Sequence, residues 1–300
     1  MPELPPISIY FIRLKWGYKG KAGKKFPLSK SKKFAMPWPM NKMNNISKNI
    51  LEQISFNTLL YLAFGIFVFL LIWKIFASKI KWRRIQPYAI SKPHFFNHDL
   101  LYSTYSIILS SALTAILLFL ESQGVTQFYW NFSDHNIVWG YSQLVFFIFV
   151  YDAYFYWTHR WMHHPKIYRF VHKKHHKSTD PSPLTIFSFH PLESVIEFIP
   201  FLVLPLIIPI YWPAFFLWQT LDLINNLFAH FGYEFYPKNW TSNPLLNVKT
   251  TSTHHNLHHE KFVGNYGLYF TYWDKLMNTE IEEYHKKFKD IYNRRNDHLL

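Results

Sequence analysis

The histidine-rich stretch 152–176 constrains this chain more than any other part of its sequence. It carries six histidines within eighteen positions. His159 and His163 are four residues apart. The last three histidines, His172, His175 and His176, follow the spacing i, i+3, i+4. Residues at these spacings lie on one face of a helix. The stretch therefore predicts imidazoles that are gathered to bind metal.

The same spacing returns about eighty residues later, at His255, His258 and His259, with His254 beside them. Ten of the 17 histidines of the chain fall in these motifs. A basic helix face can collect histidines by chance, but chance does not repeat one spacing so far along the chain. Because the motifs offer more imidazoles than one ion binds, they predict a site for two metal ions.

The chain has no cysteine, which excludes disulfides, iron–sulfur clusters and thiolate zinc sites. Any metal must therefore bind to nitrogen or oxygen. Neutral imidazoles suit iron, zinc or copper rather than magnesium or calcium. A catalytic zinc needs only three protein ligands, and the HExxH motif of zinc hydrolases is absent from the sequence. Two iron ions fit the number of histidines better.

Four strongly apolar regions indicate a membrane protein, and they are Leu59–Trp73, Tyr102–Leu120, Val138–Trp157 and Ser194 to about His230. About 20 helical residues cross a ~30 Å hydrocarbon core. Four prolines break the fourth region: Pro200, Pro205, Pro209 and Pro213. We therefore expect an all-α polytopic membrane protein with about four transmembrane helical regions, of which the fourth is a hairpin.

The distribution of charge predicts the orientation. The formal net charge is +14, but the lysines lie at the ends of apolar regions, as expected of contacts with anionic headgroups, so we expect no nucleic-acid partner. The basic cluster 79–84 places the end of the first region in the cytoplasm. A hairpin then brings all the histidine motifs to one cytoplasmic cap. Residues 1–50 are expected to form a flexible basic arm, and residues 51–300 one membrane-embedded domain.

Three segments resemble the fatty acid hydroxylase/sterol desaturase superfamily of integral-membrane non-haem di-iron enzymes. They are THRWMHHPKIYRFVHKKHHKSTDPSP, FSFHPLE and THHNLHHEKFVGNYGLYFTYWDKLMNT, and they lie within a histidine-box core at about 138–280. HHPxxYxxxHKxHHK and NYGxxFTxWD are most similar to the C-5 sterol desaturase branch. The resemblance implies O2-dependent hydroxylation or desaturation of an unactivated C–H bond in a membrane lipid, with two iron ions as cofactor and O2 as co-substrate.

The resemblance also implies the ligand set, whose members are His159, His163, His172, His175, His176, His230, His255, His258 and His259. Further candidate ligands are His164, His190, His254 and Asn226. Second-shell roles are expected for Asp152, Tyr156, Asp222 and Glu234. Asp152 lies seven residues before His159 on one helical stripe, and Asp222 lies eight residues before His230. We expect Asp152 and Asp222 to accept hydrogen bonds from neighbouring donors or from ligand imidazoles.

Electrons must come from outside the chain, because the sequence has no ferredoxin-type or dinucleotide-binding motif. We expect a separate electron-transfer protein, either cytochrome b5-like or a ferredoxin with its reductase. An acidic partner would dock on basic residues of the cap, which are Arg160, Lys173, Lys174 and Lys177; contact of these residues with lipid headgroups is the alternative. The expected location is a bacterial inner membrane or the endoplasmic reticulum, with the active site on the cytoplasmic side.

Two other functions remain open from the sequence. A membrane zinc hydrolase would keep the histidines but would need a general base, for which Glu260 and Glu234 are the nominees. A non-catalytic metal-binding membrane protein would need no cavity for a substrate. The sequence does not identify the lipid, nor does it choose between hydroxylation and desaturation.

Overall fold

A computed structural model describes residues 59–88 and 93–297. The predicted basic arm, residues 1–50, lies outside this range. The described part is mostly helical, and its α-helices are α1 (Leu59–Ile75, with a last π-helical turn Leu71–Ile75), α2 (Pro93–Ser122), α3 (Ile137–Met162), α4 (Pro165–Val171), α5 (Pro191–Ile207), α6 (Trp212–Ala229), α7 (Ser252–Lys261), α8 (Tyr272–Leu276) and α9 (Tyr284–Asp297). Short 3-10 turns lie at Lys81–Arg83, Phe132–Asp134 and His175–Lys177.

Two segments are long and apolar enough to cross a membrane, Phe96–Ser122 in α2 and Ile137–Met162 in α3. They cover the second and third predicted regions. The first region is the shorter apolar helix α1. The fourth region contains two helices, α5 and α6, of 17 and 18 residues. Four membrane crossings and a cytoplasmic cap remain predictions.

Apolar side chains are exposed in stripes along these helices. On α5 the exposed residues recur every three or four positions and are Leu192, Val195, Ile199, Val203 and Ile207. On α3 a similar stripe contains Tyr141, Val145, Phe149, Trp157 and Trp161. Exposed apolar stripes of this length are suited to lipid rather than to water. The described helices thus present an apolar perimeter.

The fourth region is interrupted between Ile207 and Trp212, where the two-residue strand β2 (Ile210–Tyr211) pairs in parallel with β1 (Phe128–Tyr129). Pro209 lies in this interruption, and Pro213 lies in the first turn of α6. A proline at that position loses no helical hydrogen bond, because the first amides of a helix have no intrahelical acceptor.

Pro200 and Pro205 lie inside α5, so the prediction that they break the fourth region is wrong. A proline in a helix leaves the carbonyl four residues earlier without its amide donor. For Pro200 that carbonyl belongs to Ile196, and the hydroxyl of Tyr154 on α3 donates to it at 2.8 Å. A tertiary hydrogen bond therefore replaces the missing helical one.

The core between α3, α5 and α6 is aromatic. The indole of Trp218 is fully buried and stacks on Phe147, with ring centroids 4.9 Å apart, and on Phe201, at 4.5 Å. On the other side of α5, Ser194 donates a hydrogen bond to Ser106 of α2 at 2.9 Å. This packing holds α3, α5 and α6 against one another and so sets the relative positions of the C-terminal end of α3, the N-terminal end of α5 and the C-terminal end of α6. All three ends carry residues of the histidine cluster or its contacts.

Candidate metal centre

Nine buried or nearly buried histidines form two adjacent groups. The first group, group A, contains His159, His163, His172, His176 and His258. The second group, group B, contains His175, His230, His255 and His259. Within each group the potential ligand nitrogens lie within 4.8 Å of one another. The structure thus brings together all nine histidines of the expected ligand set.

The first two motifs are built around a sharp reversal of the chain. His159 lies in the last turn of α3, and His163 is the C-cap of that helix. Pro165 then begins α4, which ends at Val171, so that His172 is its C-cap. His175 follows in a 3-10 turn.

The prediction that His172, His175 and His176 lie on one face of an α-helix is therefore wrong. Their convergence comes from a helix end followed by a 3-10 turn, which tightens the chain and turns the side chains inward.

The third motif does lie on a helix. His255, His258 and His259 belong to α7, whose N-cap Thr251 accepts a hydrogen bond from the amide of His254. The helix ends at Phe262, which has a left-handed backbone with φ 65°. The predicted helical spacing is confirmed for this motif.

Each histidine motif contributes to the groups by the same rule. Histidines four apart enter the same group: His172 and His176 enter group A, and His255 and His259 enter group B. The histidine at the i+3 position of each HxxHH motif, His175 or His258, enters the opposite group. An i, i+4 pair shares one side of a turn, whereas the i+3 side chain is rotated away from it. The HxxHH spacing therefore serves two neighbouring metal positions.

The Nε2 atoms of the histidines face one another. In group A, His172 Nε2 lies 3.0 Å from Nε2 of both His159 and His176. In group B, His255 Nε2 lies 3.1 Å from Nε2 of both His230 and His259. The remaining Nε2 contacts are His163 to His258 at 3.1 Å and His175 to His230 at 3.4 Å.

Backbone carbonyls fix the tautomer of four of these rings. A carbonyl oxygen only accepts a hydrogen bond, so an Nδ1 beside it carries the proton and Nε2 keeps the lone pair. The four pairs are His159 with Tyr266 at 3.0 Å, His230 with Asn226 at 2.8 Å, His258 with Gly264 at 2.7 Å and His259 with Ser178 at 3.0 Å. Their lone pairs point into the groups.

One carboxylate contacts the ligand set directly. His172 Nδ1 lies 2.6 Å from Glu193 Oε1 and donates to it, and the Glu193 side chain is only 1% exposed. His159 and His172 therefore face each other with two lone pairs at 3.0 Å. Two acceptors at this distance repel each other unless a cation lies between or beside them. The donor set of group A thus fits a metal ion.

The histidines of groups A and B that lie outside the apolar helices have lowered pKa values, which favours the neutral form. Burial, and then the neighbouring imidazoles, hold the pKa of His172, His175 and His176 well below its usual range. The same causes act on His255, His258 and His259 of α7. Burial lowers the pKa of His230 to about 4. Neutral imidazole is the form that binds a metal.

The expected second-shell residues do not contact the ligand imidazoles. Asp152 accepts hydrogen bonds from the amides of Tyr269 and Phe270, at 2.7 and 3.1 Å. Asp222 accepts from the Tyr269 hydroxyl at 2.7 Å and from Asn226 Nδ2 at 3.3 Å. We expected Asp152 and Asp222 to accept hydrogen bonds from neighbouring donors or from ligand imidazoles. Among the described residues, the neighbouring groups donate to them and no imidazole does.

Tyr156 and Glu234 also make their hydrogen bonds with residues other than the ligand histidines. The Tyr156 hydroxyl pairs with Thr279 at 3.0 Å. Glu234 accepts from the amide and the hydroxyl of Thr253, at 2.9 and 2.7 Å, and from the amide of Tyr236 at 2.9 Å. Glu234 therefore anchors the start of α7.

Sequence reasoning missed two acidic residues that position the site. Glu193 begins an apolar helix, and an ionisable residue in such a segment is a functional candidate by default. Asp274 accepts hydrogen bonds from the amides of Tyr266 and Gly267, both at 2.8 Å, and so fixes the loop whose carbonyl orients His159. Asp274 lies in the quoted segment TYWDKL, but no role was derived for it from the sequence.

The further candidate ligands lie outside both groups. His164 and His190 are helix N-caps, and their Nδ1 atoms accept from the amides of Lys166 and Leu192. His254 is fully buried, with Nε2 3.4 Å from Asp274 Oδ2. Asn226 contributes its backbone carbonyl to His230, while its side chain donates to Asp222.

A cavity of about 500 Å³ lies beside the two groups, among α1, α2, α3, α5 and α6. Its lining is mostly apolar and aromatic. Three of its lining residues contact histidines of groups A and B: Phe155 packs on His159, with ring centroids 4.9 Å apart, Phe189 packs on His175 at 4.9 Å, and the backbone carbonyl of Asn226 accepts a hydrogen bond from His230. The cavity is therefore lined by residues that touch both groups.

The sequence profile of the family described as "Fatty acid hydroxylase" matches residues 144–279. This segment, somewhat less than half of the chain, is therefore similar to the fatty acid hydroxylase family. It contains all nine histidines of groups A and B. No solved structure gives a significant match.

Curated relatives are sterol desaturases and sterol oxidases. A Delta(7)-sterol 5(6)-desaturase of Gibberella zeae is 32% identical over 168 residues, which are 56% of this chain and 46% of the relative. A C-4 methylsterol oxidase of Schizosaccharomyces pombe is 31% identical over 156 residues, 50% of each chain. A lathosterol oxidase of Rattus norvegicus is 27% identical over 208 residues, 67% of this chain and 68% of the relative. The chain spans about half the length of the first two. These matches confirm the expected resemblance to the superfamily and to its C-5 sterol desaturase branch.

Proposed function

We propose that this protein is a membrane-embedded oxidoreductase that hydroxylates or desaturates an unactivated C–H bond of a membrane lipid with two histidine-bound iron ions and O2. The convergence of nine imidazole Nε2 atoms into two adjacent groups carries this proposal. Imidazole ligation suits iron, zinc or copper, and of these we propose iron because the resemblance implies O2-dependent oxidation by two iron ions. The sterol desaturases and oxidases among the relatives support an oxidative reaction.

The chain itself supplies the ligands and their orientation. Group A would hold one ion and group B the other, with the imidazoles fixed by carbonyls and by Glu193. When bound and reduced by an external donor, the iron ions supply the activation of O2 for oxidation of the C–H bond. The neutral imidazoles bring no negative charge, so Glu193 contributes the carboxylate that contacts the ligand set directly and partly offsets the charge of the metal ions.

The cavity would bind the lipid and exclude water. Phe155 and Phe189 line the cavity and pack on His159 and His175, so the reacting carbon would lie among apolar rings near the metal ions. Phe216 lines the cavity and is also 51% exposed on the apolar perimeter. This position supports entry of the substrate sideways from the bilayer. A protein that only bound metal would need no such cavity.

The zinc-hydrolase alternative lacks a base at the site. Both carboxylate oxygens of Glu234 accept hydrogen bonds from Thr253 and Tyr236. Glu260 forms an ion pair with Lys287 on the other side of α7. Among the described residues, Glu193 is the carboxylate that touches a cluster histidine, and it already accepts from His172.

For the electron donor we propose an acidic carrier that docks beside the histidine motifs. Lys173 and Lys177 are exposed within the second motif, whereas Lys174 lies over the ring of Tyr102 and Arg160 donates to the Tyr156 hydroxyl. The exposed lysines offer the positive charge that such a carrier recognises. With the basic cluster 79–84 in the cytoplasm, this surface would also be cytoplasmic.

The test is to purify the protein, load it with iron or with zinc, and supply a membrane lipid extract, O2 and a reductant. We expect hydroxylated or desaturated lipids by mass spectrometry with iron and none with zinc or without O2. Hydrolysed lipids in the zinc-loaded sample without O2 would instead identify a hydrolase.

A further inference from the structure

The apolar cavity contains two carboxylates that the metal groups do not use. Glu197 on α5 and Asp222 on α6 both line it. Each is partly accessible although it lies among buried aromatic residues, because its accessible side faces the cavity. An acidic side chain in an apolar segment is costly and marks a functional position by default.

Two tyrosines hold these carboxylates in place. The Tyr151 hydroxyl donates to Glu197 Oε2 at 3.3 Å, and the Tyr269 hydroxyl donates to Asp222 Oδ1 at 2.7 Å. The two tyrosine rings lie against each other, with centroids 6.3 Å apart. The two acids therefore form one polar patch, which we call the carboxylate pair.

Each acid keeps one oxygen for a further donor. Within the described residues, Glu197 Oε1 and Asp222 Oδ2 have no hydrogen bond from the protein, and neither is among the fully enclosed polar atoms. By contrast, the hydroxyls of Thr114 and Thr220, which also line the cavity, donate to carbonyls of their own helices. The carboxylate pair is thus the strongest acceptor that faces the cavity.

The pair lies a short distance from the metal groups along two helices. Glu197 follows Glu193, the partner of His172, by one turn, about 6 Å along the axis of α5. Asp222 precedes His230 by eight residues, about 12 Å along α6. A group bound at the pair would hold the rest of a lipid across Phe155 and Phe189.

We propose that the carboxylate pair binds a hydrogen-bond donor of the lipid substrate, a hydroxyl or an amine, and so selects lipids that carry such a group a short distance from the oxidised carbon. The cavity volume of about 500 Å³ is within the range of sites that enclose small lipophilic ligands. The inference rests on the proposed function, because it names the substrate class of the same site.

The test measures binding to metal-free protein, so that it does not depend on turnover. The probes are cholestanol and hexadecanol, each compared with its methyl ether, and hexadecylamine. Quenching of tryptophan fluorescence reports occupancy, since Trp212 lines the cavity. We expect each alcohol that enters the cavity to bind about 10-fold more tightly than its ether, because the ether leaves a buried acceptor without its donor. Tighter binding of hexadecylamine than of hexadecanol would identify the donor as an amine.

Glu197→Leu should remove the preference for alcohol over ether, and Asp222→Asn should reduce it. Thr114→Val is the matched control, because it changes the same cavity at a hydroxyl that already donates to Ser110, and it should keep the preference. The metal content of reloaded Glu197→Leu should equal that of the wild type, which shows that the variant is folded.

Equal binding of alcohols and ethers by the wild type would overturn the inference, even if the iron-loaded protein oxidises lipids. A preference for alcohols that disappears in Glu197→Leu would support it, even if no oxidation is found, in which case the proposed function alone would fail.

Discussion

Glu193 gives the sharpest test of how the chain holds metal. Its carboxylate lies 2.6 Å from His172 Nδ1, a short charge-assisted contact in a side chain that is almost fully buried. Hydrogen bonds to charged groups contribute about 1.5–3 kcal/mol. Since about 1.4 kcal/mol changes an equilibrium constant tenfold, loss of this contact should weaken metal binding about 10–100-fold.

Two substitutions separate charge from hydrogen bonding. Glu193→Gln keeps an acceptor for His172 but removes the charge, and Glu193→Leu removes both. We therefore expect metal affinity to fall in the order wild type, Glu193→Gln, Glu193→Leu. Glu197→Gln, one turn further along α5, is the matched control and should keep the affinity of the wild type, because the structure gives it no contact with a histidine of either group.

The assay is metal content by mass spectrometry after dialysis against a graded series of chelator concentrations. Circular dichroism on the same samples checks that the helices remain folded. Metal retention by Glu193→Leu equal to that of the wild type would refute the role of this carboxylate.

Further predictions concern the ligands, the topology and pH. His175→Ala should lower metal content and activity while leaving a folded protein, whereas Lys173→Ala, two positions earlier and exposed, should keep the metal content of the wild type; full metal occupancy in the histidine variant would count against group B. Tags near residue 178 and near residue 285 should report the same, cytoplasmic, side of the membrane, and opposite sides would exclude the hairpin. Burial holds the pKa of His230 at about 4, below the ~6.5 of an unfolded histidine, so the unfolded metal-free chain takes up its proton first as pH falls. The stability of the metal-free protein should therefore be level above about pH 6.5 and should decrease between about pH 6.5 and 4, as measured by thermal unfolding; a stability that increases on acidification would contradict buried neutral imidazoles.

The sequence predicted the histidines of the site well because spacing and composition carry that information. The two i, i+3, i+4 motifs and the i, i+4 pair His159 and His163 contain eight of the nine histidines of groups A and B, and the resemblance added His230. Spacing alone could not show that His175 and His258 join opposite groups, because that depends on how the chain turns between α3 and α7. This assignment is a property of the tertiary structure.

Local sequence signals could have corrected the predicted helical face of the second histidine motif and could have pointed to Glu193. Pro165 favours the first turn of a helix, and with His164 as N-cap it starts α4 between the first two motifs. The second histidine motif therefore begins at the C-terminal end of α4 and does not lie on one continuous helical face. Pro191 and the N-cap His190 mark the start of α5 in the same way and place Glu193 in its first turn.

Other features depend on partners that are distant in sequence. The hydroxyl of Tyr154 that satisfies the carbonyl of Ile196 allows Pro200 to remain inside α5. The loop amides that donate to Asp152 lie more than a hundred residues away in the sequence. Spacing therefore could not show whether this carboxylate accepts from those amides or from an imidazole. Neither partner can be read from local spacing.

The central claim is that two metal ions are bound by two separate groups of histidines, and the most direct measurement is the number of iron ions per chain. Iron-loaded wild-type protein should contain two, and His163→Ala and His230→Ala should each affect a different ion, since these residues belong to different groups. One iron per wild-type chain at saturation, with both variants losing that same ion, would contradict the account.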